Sequence, residues 1–232
     1  MRVLLFLVPA LSLAAEPPAV TLADLEKACA AGDAAGCVDY GFNLEASDPA
    51  KAVSVYRAAC AKDNFPACSN LALMLRDARG APKSYEEATA VAKKACEGKN
   101  APGCLHWGLV REAAGDFAQA NVAYEKACAL KVFPACTNVA TNLVKGVGGK
   151  SDPKRGADLL EKTCGESVKK GTPYPSLRAC VTLGQLLEQG LVGKSDVEAA
   201  KKLYRLACYG GLEEGCERIS TGPRNVNEAH GH

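Results

Sequence analysis

Twelve cysteines divide this chain of 232 residues into a repeating frame. Five neighbouring pairs are spaced eight positions apart and the sixth pair is spaced sixteen. The pairs are Cys29 with Cys37, Cys60 with Cys68, Cys96 with Cys104, Cys128 with Cys136, Cys164 with Cys180, and Cys208 with Cys216. An even number of cysteines at regular spacing in an exported chain is typical of a disulfide framework. The repetition suggests that each cysteine bonds to its near neighbour.

Zinc binding is the competing explanation for so many cysteines. Structural zinc sites use Cys-x2-Cys clusters or mixtures of cysteine and histidine. The sequence has no Cys-x2-Cys and only three histidines, and it also lacks the Cys-x2-Cys-His haem attachment motif. It therefore predicts disulfides, with neither a metal site nor a cofactor.

The residues around the cysteines repeat as well. A small residue stands four positions after each second cysteine: Gly41, Ala72, Gly108, Ala140, Gly184 and Ser220. Another stands eight positions before each first cysteine from the second pair onward: Ala52, Ala88, Ala120, Gly156 and Ala200. Residues that are four or eight positions apart lie on one face of a helix. Each repeat is therefore predicted to contain two antiparallel helices, with the cysteine pair bracketing the turn between them.

Local signals predict several helix boundaries. Helix starts are expected at Asp48-Pro49, Ser84 and Ser151-Asp152-Pro153, where a capping oxygen stands at or before the first turn. Helix ends are expected at Gly80, Gly146 and Gly190. A disulfide that closes each turn would contribute roughly 2–3 kcal/mol in the chain-entropy model. One hairpin cannot bury its own apolar face, so the hairpins are expected to stack.

The repeated segments resemble Sel1-like repeat (SLR) proteins, which are relatives of tetratricopeptide repeat proteins. VYRAAC, AYEKAC and LYRLAC resemble one helix of that repeat, and CVDYGFNL, CLHWGLV and CVTLGQLLEQG resemble the other. The added cysteine pair is similar to the secreted, cysteine-rich Hcp-type branch. The resemblance covers residues 22–220. It implies an all-α fold, an α/α superhelical solenoid of about five to six disulfide-linked helical hairpins with a concave groove.

The ends of the chain differ in composition from the repeats. Residues 1–15 combine Arg2 with an apolar stretch of signal-sequence length, which predicts a signal peptide and export. The polar residues 221–232 are predicted to be a disordered tail. No other segment is apolar enough to span a membrane. The expected location is the periplasm or the extracellular space.

The charge balance argues against nucleic-acid binding. Lys and Arg number 28 against 26 Asp and Glu, and no long run of one sign occurs. A protein that binds by neutralising phosphates normally shows a basic excess or stripe. The sequence thus predicts protein or peptide partners, whose identity it does not specify.

The Hcp-type resemblance implies weak penicillin binding or β-lactamase activity. Serine β-lactamases need a Ser-x-x-Lys motif with partners such as Lys-Thr-Gly. Two Ser-x-x-Lys strings occur, beginning at Ser151 and Ser167, but Ser151 is better explained as a helix cap and Ser167 lies in an insertion. Lys-Thr-Gly is absent. No catalytic residue is therefore predicted, and the penicillin-binding hydrolase remains an alternative, together with a haem- or redox-handling assembly factor of the envelope.

Polar residues at one helical position suggest a binding groove. Every residue two positions after a second cysteine is polar, and asparagine occurs twice among the residues six positions after it. Positions two and six lie one turn apart on one face. Amides both donate and accept hydrogen bonds, which suits the backbone of an extended peptide. The hypothesis is a groove that uses Asn43, Asn70, His106, Asn138 and Asn142, and the alternative is that these side chains only solvate an exposed face.

Overall fold

A computed structural model describes residues 20–170 and 176–220. Within these ranges the chain forms twelve α-helices and no strand. They are α1 (Leu22–Ala30), α2 (Ala34–Leu44), α3 (Pro49–Ala61), α4 (Phe65–Arg76), α5 (Tyr85–Glu97), α6 (Ala101–Ala113), α7 (Phe117–Ala129), α8 (Phe133–Lys145), α9 (Pro153–Lys170), α10 (Leu177–Glu188), α11 (Val197–Tyr209) and α12 (Glu213–Ser220). The predicted signal peptide (1–15) and tail (221–232) lie outside the described residues.

Each disulfide joins the two helices of one hairpin across the turn between them. The paired Cα atoms lie 4.3 to 4.9 Å apart, and all twelve cysteines are bonded. The bonds join Cys29 to Cys37, Cys60 to Cys68, Cys96 to Cys104, Cys128 to Cys136, Cys164 to Cys180, and Cys208 to Cys216. This is the pairing of near neighbours that the sequence predicts. The predicted all-α solenoid of disulfide-linked hairpins is confirmed.

Most of the predicted helix caps are present. The side chains of Asp48 and Ser84 accept hydrogen bonds from the first turns of α3 and α5. Gly146 ends α8 in the left-handed conformation, with a φ of 69°. The prediction for Ser151 is wrong: Asp152 caps α9 through Arg155 N, at 3.0 Å, while the Ser151 hydroxyl donates to the Val144 carbonyl. Asp152 directly precedes the proline that begins α9, so it occupies the capping position.

Three tyrosines pack directly on glycines of the neighbouring helix. Tyr56, Tyr124 and Tyr204 are almost fully buried. A Cβ built on Gly41, Gly108 or Gly184 would lie 2.4, 2.3 or 2.6 Å from the respective tyrosine ring. Glycine is therefore required where a tyrosine follows. In the two intervening hairpins alanine takes the place of the glycine, and the smaller Ala92 or Leu160 takes the place of the tyrosine.

The stack is curved with the even-numbered helices on its inner side. Consecutive even-numbered helices from α2 to α10 contact one another, whereas the extensive contacts of odd-numbered helices are all with even-numbered ones. In a curved array of hairpins, the layer whose successive helices lie closer together is the concave one. The even-numbered helices therefore form the inner layer and the odd-numbered helices form the outer layer.

The turns inside the hairpins share an unusual backbone conformation. The third residue after the first cysteine has a positive φ in five described turns: Gly32 (93°), Asp63 (61°), Lys99 (61°), Lys131 (67°) and Gly211 (90°). A left-handed conformation costs a residue with a Cβ about 1–2 kcal/mol relative to glycine. The first and last of these turns have glycine, which the left-handed conformation favours. The three turns between them have aspartate or lysine at this position.

We expect Lys99→Gly to stabilise the protein by roughly 0.5–1 kcal/mol, because relief of the left-handed strain exceeds the entropy that glycine adds to the unfolded chain. The control is Lys93→Gly in the exposed interior of α5, which should destabilise by about 1 kcal/mol. Urea denaturation of both variants with intact disulfides gives the comparison. A loss of stability in Lys99→Gly would contradict the explanation.

Candidate functional site

The side chains at two positions of each inner helix are not packed in the core. Helical spacing places positions two and five after each second cysteine opposite the core-facing residues at positions three, four and seven. We call these two positions, taken along the stack, the inner face. Position two holds Asp39, Asn70, His106, Asn138, Thr182 and Arg218, and position five holds Phe42, Leu73, Leu109, Thr141 and Gln185. All of them are half-buried or exposed, and Phe42 is the most open, at 67 %.

Two of the predicted groove asparagines support the buried tyrosines. Asn70 Nδ2 donates to Tyr56 Oη at 3.4 Å, and the Tyr56 hydroxyl donates to Glu45 at 2.9 Å. Burial raises the pKa of Tyr56 well above its usual value, and the adjacent Glu45 carboxylate raises it further. Asn138 makes the corresponding hydrogen bond with Tyr124. Both amides are thus half-buried and already bonded within the stack.

The other two predicted asparagines differ in their surroundings. Asn142 Nδ2 donates to Asn121 Oδ1 at 2.7 Å, and Asn121 in turn donates to the Val147 carbonyl at 2.8 Å, so this amide pair links α8 to α7. Asn43 is exposed and donates only to the Asp39 carbonyl of its own helix, at 2.8 Å. Of the four asparagines, Asn43 on α2 presents the most open side chain.

His106 is held at the contact between two inner helices. Its Nδ1 lies 2.7 Å from Ser69 Oγ and 3.0 Å from the Ser69 carbonyl oxygen, which joins α6 to α4. Burial lowers the pKa of His106 below its usual value. Burial thus favours the neutral imidazole, and because the carbonyl oxygen can only accept, Nδ1 carries the proton. The residue contributes to the floor of the inner face.

The sequence prediction missed two features, one of the inner face and one of the core beneath it. The apolar side chains at position five form a row from Phe42 through Leu73 to Leu109, and polar Thr141 and Gln185 continue it. The tyrosine clusters also have a readable signal: in three hairpins glycine at position four is followed by glutamate at position eight and by a buried tyrosine in the next helix. These sets are Gly41, Glu45 and Tyr56; Gly108, Glu112 and Tyr124; and Gly184, Glu188 and Tyr204.

The serine of the first Ser-x-x-Lys string is engaged within the stack. The Ser151 hydroxyl donates to the Val144 carbonyl at 2.8 Å. The side chain of Ser167 lies outside the described residues. No group of three histidine, cysteine or acidic side chains is placed to hold a metal ion in residues 20–165 and 176–220, whose side chains the structure describes. Among the helices of the described part, none has the length and apolarity to cross a bilayer.

Comparison with known proteins addresses the fold. No protein-family model matches the sequence, and no curated protein matches it. Solved structures do match. A Sel1 repeat protein from Oxalobacter formigenes aligns with a TM-score of 0.62 and 20 % identity, over 90 % of this chain and 96 % of the other. The chain has the Sel1-repeat fold.

Two further structures with the Sel1-repeat fold also align with this protein. One is a Sel1 repeat protein from Klebsiella pneumoniae subsp. pneumoniae, with a TM-score of 0.52 and 22 % identity over 86 % of this chain and 98 % of that one. The other is a protective antigen of uropathogenic Escherichia coli with an SLR fold, with a TM-score of 0.55 and 19 % identity over 86 % of this chain. This Sel1-repeat chain spans 51 % of the Escherichia coli protein.

Proposed function

We propose that this protein is an exported Sel1-like repeat scaffold that binds a segment of a partner protein or peptide along its inner face in the cell envelope. The row of half-exposed apolar side chains at position five is the observation that supports it. Phe42 is 67 % exposed on the first inner helix, and Leu73 and Leu109 continue the row on α4 and α6. Large apolar side chains left open on a concave surface are typical of interaction sites.

The polar residues predicted for the groove, at positions two and six, fit an extended partner beside this row. Asn43, Asn70, His106, Asn138 and Asn142 all lie on the inner helices. Asn70 and Asn138 each use one hydrogen bond to hold a tyrosine. Their remaining hydrogen-bond donors and acceptors are those proposed to contact a peptide backbone. Fixed amides lose little conformational entropy when they bind, which favours recognition by a rigid scaffold.

The chemistry of the cysteines supports the proposed export. Six disulfides fit a compartment outside the reducing cytoplasm. The apolar residues 1–15 supply the proposed signal peptide, and the periplasm or the extracellular space is the proposed location. The same disulfides support membership of the cysteine-rich Hcp-type branch.

Site-specific photocrosslinking tests the inner face. A photoreactive phenylalanine analogue at position 42, 73 or 109 should give the same discrete adduct in the envelope fraction. We expect Phe42→Ala to weaken binding of the partner identified in that way by about tenfold, because a large side chain in an apolar contact is removed. Asparagine variants are less suitable, because Asn70 and Asn138 also support buried tyrosines.

Phe117→Ala on the outer layer is the matched control, since Phe117 is also exposed, at 37 %. It should leave the affinity unchanged. Equal losses from the two alanine variants, or adducts that arise equally from position 122 on the outer helix α7, would overturn the assignment of binding to the inner face.

Penicillin binding is the alternative that the Hcp-type resemblance supplies. A chromogenic β-lactam incubated with the purified protein tests it directly. Turnover that disappears in Ser151→Ala or in Ser167→Ala would favour the hydrolase, although the Ser151 hydroxyl is engaged with a carbonyl in the structure. We expect no turnover, and no change between these variants and the parent protein.

A further inference from the structure

Ion pairs link consecutive helices of the outer layer at one repeated place. They join the third residue before a first cysteine to the ninth residue before the next first cysteine. The nitrogen and oxygen atoms of three such pairs lie 2.8 to 3.0 Å apart. The pairs are Glu26 with Lys51, Arg57 with Glu87, and Glu125 with Arg155. Wherever both positions are charged, their charges are therefore opposite and the two outer helices are tied together.

The interface between α5 and α7 meets the charge in another way. The same two positions hold Lys93 and Gln119. Lys93 Nζ lies 3.9 Å from Glu97 Oε1, one turn further along α5. The lysine charge is thus balanced on its own helix, and the glutamine keeps the opposite position polar.

The interface between α9 and α11 breaks this pattern on one side. The two positions hold Glu161 and Ala199, so a methyl group stands where the other interfaces have a polar or charged side chain. One turn further along α9 is Gly165, which has no charge to offer. Glu161 makes no ion pair with any residue that the structure describes. The carboxylate of Glu161 therefore stands at a repeated ion-pair position without its cation.

An open cleft lies at this place between α9 and α11, with a volume of about 380 Å³. We call it the α9/α11 cleft. The volume lies in the range of pockets that bind small ligands or peptide side chains, roughly 300–1,000 Å³. The lining residues are Ala157, Glu161, Leu183, Leu187, Val192, Ala199, Lys202 and Leu203. Ala199 is among them, so the position that lysine or arginine holds at other interfaces is open to solvent here.

The floor of the α9/α11 cleft is aliphatic. Leu183 is 7 % exposed, and Leu187, Val192 and Leu203 are half-buried. Glu161 stands on the α9 wall and Lys202 on the α11 wall, and both are exposed. A long lysine side chain keeps its ammonium group in water, so Lys202 stays at the rim. The cleft thus offers one carboxylate beside an aliphatic surface.

Arginine matches this combination better than lysine does. A guanidinium group is planar and more weakly hydrated than an ammonium group, and it can donate two parallel hydrogen bonds to one carboxylate. Its methylene stem also covers apolar surface. The protein already uses this chemistry one hairpin earlier, where Arg155 Nη2 lies 2.8 Å from Glu125 Oε1. Glu161 occupies the repeat position of Glu125 and Ala199 that of Arg155.

We propose that the α9/α11 cleft is a second binding site, which takes an arginine side chain from an extended segment of a partner protein. The guanidinium pairs with Glu161 as Arg155 pairs with Glu125. Side chains two positions apart in an extended segment point the same way, so an aliphatic residue two positions from the arginine rests on Leu187 and Leu203. The cleft shares no residue with the inner face, and either site can fail its test without affecting the other.

Three hexapeptides capped at both ends test the proposal by NMR titration of the disulfide-bonded protein. The first has arginine and, two positions later, leucine, with glycine and serine elsewhere. The second has citrulline in place of the arginine, which keeps the shape and removes the charge. The third has serine in place of the leucine. We expect the first to bind with amide shifts on α9 and α11, and the other two to bind about fivefold more weakly.

Glu161→Gln should weaken binding of the arginine peptide about fivefold, because the exposed carboxylate contributes charge and not packing. Glu125→Gln is the matched control, with the same change at the same repeat position, and should leave binding unchanged. Lys202→Gln should strengthen binding about twofold, because it removes a cation from the opposite wall of the cleft.

Ala199→Arg should close the site from within. The new side chain restores the arginine found at position 155 and should pair with Glu161, so that binding of the peptide falls below detection. The urea midpoint should rise in Ala199→Arg, and this gain should disappear when Glu161→Gln is added. The stability comparison needs no peptide, so it tests the vacant ion-pair position independently of the ligand.

Four results would overturn the proposal. One is a failure of the arginine peptide to bind, or equal binding of the citrulline peptide. Another is unchanged affinity in Glu161→Gln. The third is peptide binding that survives in a folded Ala199→Arg variant. The fourth is a set of amide shifts that maps to the inner face instead of to α9 and α11.

Discussion

Gly108→Ala should destabilise the protein by about 2–3 kcal/mol, although alanine forms helices better than glycine. The reason is the tyrosine ring that lies against this glycine. A Cβ at position 108 would stand 2.3 Å from Tyr124 Cε1, and Tyr124 is completely buried. The tyrosine hydroxyl also donates a hydrogen bond to Glu112, so the ring cannot move away without losing that bond. Overpacking of this kind exceeds the gain in helix propensity of about 1 kcal/mol.

Gly165→Ala provides the matched control for this prediction. Gly165 also lies within a helix, α9, but it is exposed and a Cβ built on it meets no atom within 4 Å. The same substitution should therefore stabilise the protein by up to about 1 kcal/mol. Denaturant unfolding of both variants with disulfides intact measures the difference. If the two variants shift in the same direction, the tyrosine contact does not restrict position 108.

Replacement of both Cys96 and Cys104 by alanine should lower the free energy of unfolding by roughly 2–3 kcal/mol. The disulfide closes a short loop in the unfolded chain, and its removal restores conformational entropy to that state. Both sulfurs are also buried in the middle of the stack, 8 % and 1 % exposed, so the change leaves unfilled space in the core. Hairpins on both sides depend on this one, and the loss should therefore appear in global unfolding.

The same replacement at Cys208 and Cys216 should act locally. This pair closes a loop of equal length, but both cysteines are half-buried and their hairpin ends the described stack. Hydrogen exchange should show faster opening of α11 and α12 while the central helices keep their protection. Mild reductant should cleave the bond between Cys208 and Cys216 before the bond between Cys96 and Cys104, as detected by mass spectrometry of alkylated peptides. Identical exchange patterns for the two double variants would show that the stack unfolds as one unit.

The cysteine frame made most of the fold predictable. Spacing of eight positions brackets a tight turn, and the capping residues Asp48 and Ser84 were readable because their hydrogen bonds are local. Ser151 was misassigned because two candidate capping residues, Ser151 and Asp152, stand in sequence before α9, and the geometry of the preceding turn decides between them. That turn places the Ser151 hydroxyl against the Val144 carbonyl, a contact seven residues back.

The candidate sites were less predictable, because they depend on the register between neighbouring hairpins. The sequence placed Asn70 on an inner helix, but its hydrogen bond to Tyr56 depends on how α3 packs against α4. His106 likewise joins α6 to α4 through its contact with Ser69, which needs the position of one hairpin against the next. Each residue is ordinary on its own helix. The property belongs to the interface, and it becomes visible once one repeat is compared with the next.

The six disulfides each lie within a single hairpin, and because all twelve cysteines are used in this way, no covalent cross-link joins one hairpin to the next. Tension applied along the array would therefore separate rigid units at their side-chain contacts, with the turns themselves held shut. We expect the spacing between hairpins to change under load more readily than the geometry within a hairpin, because side-chain contacts and single connecting segments hold neighbouring hairpins together.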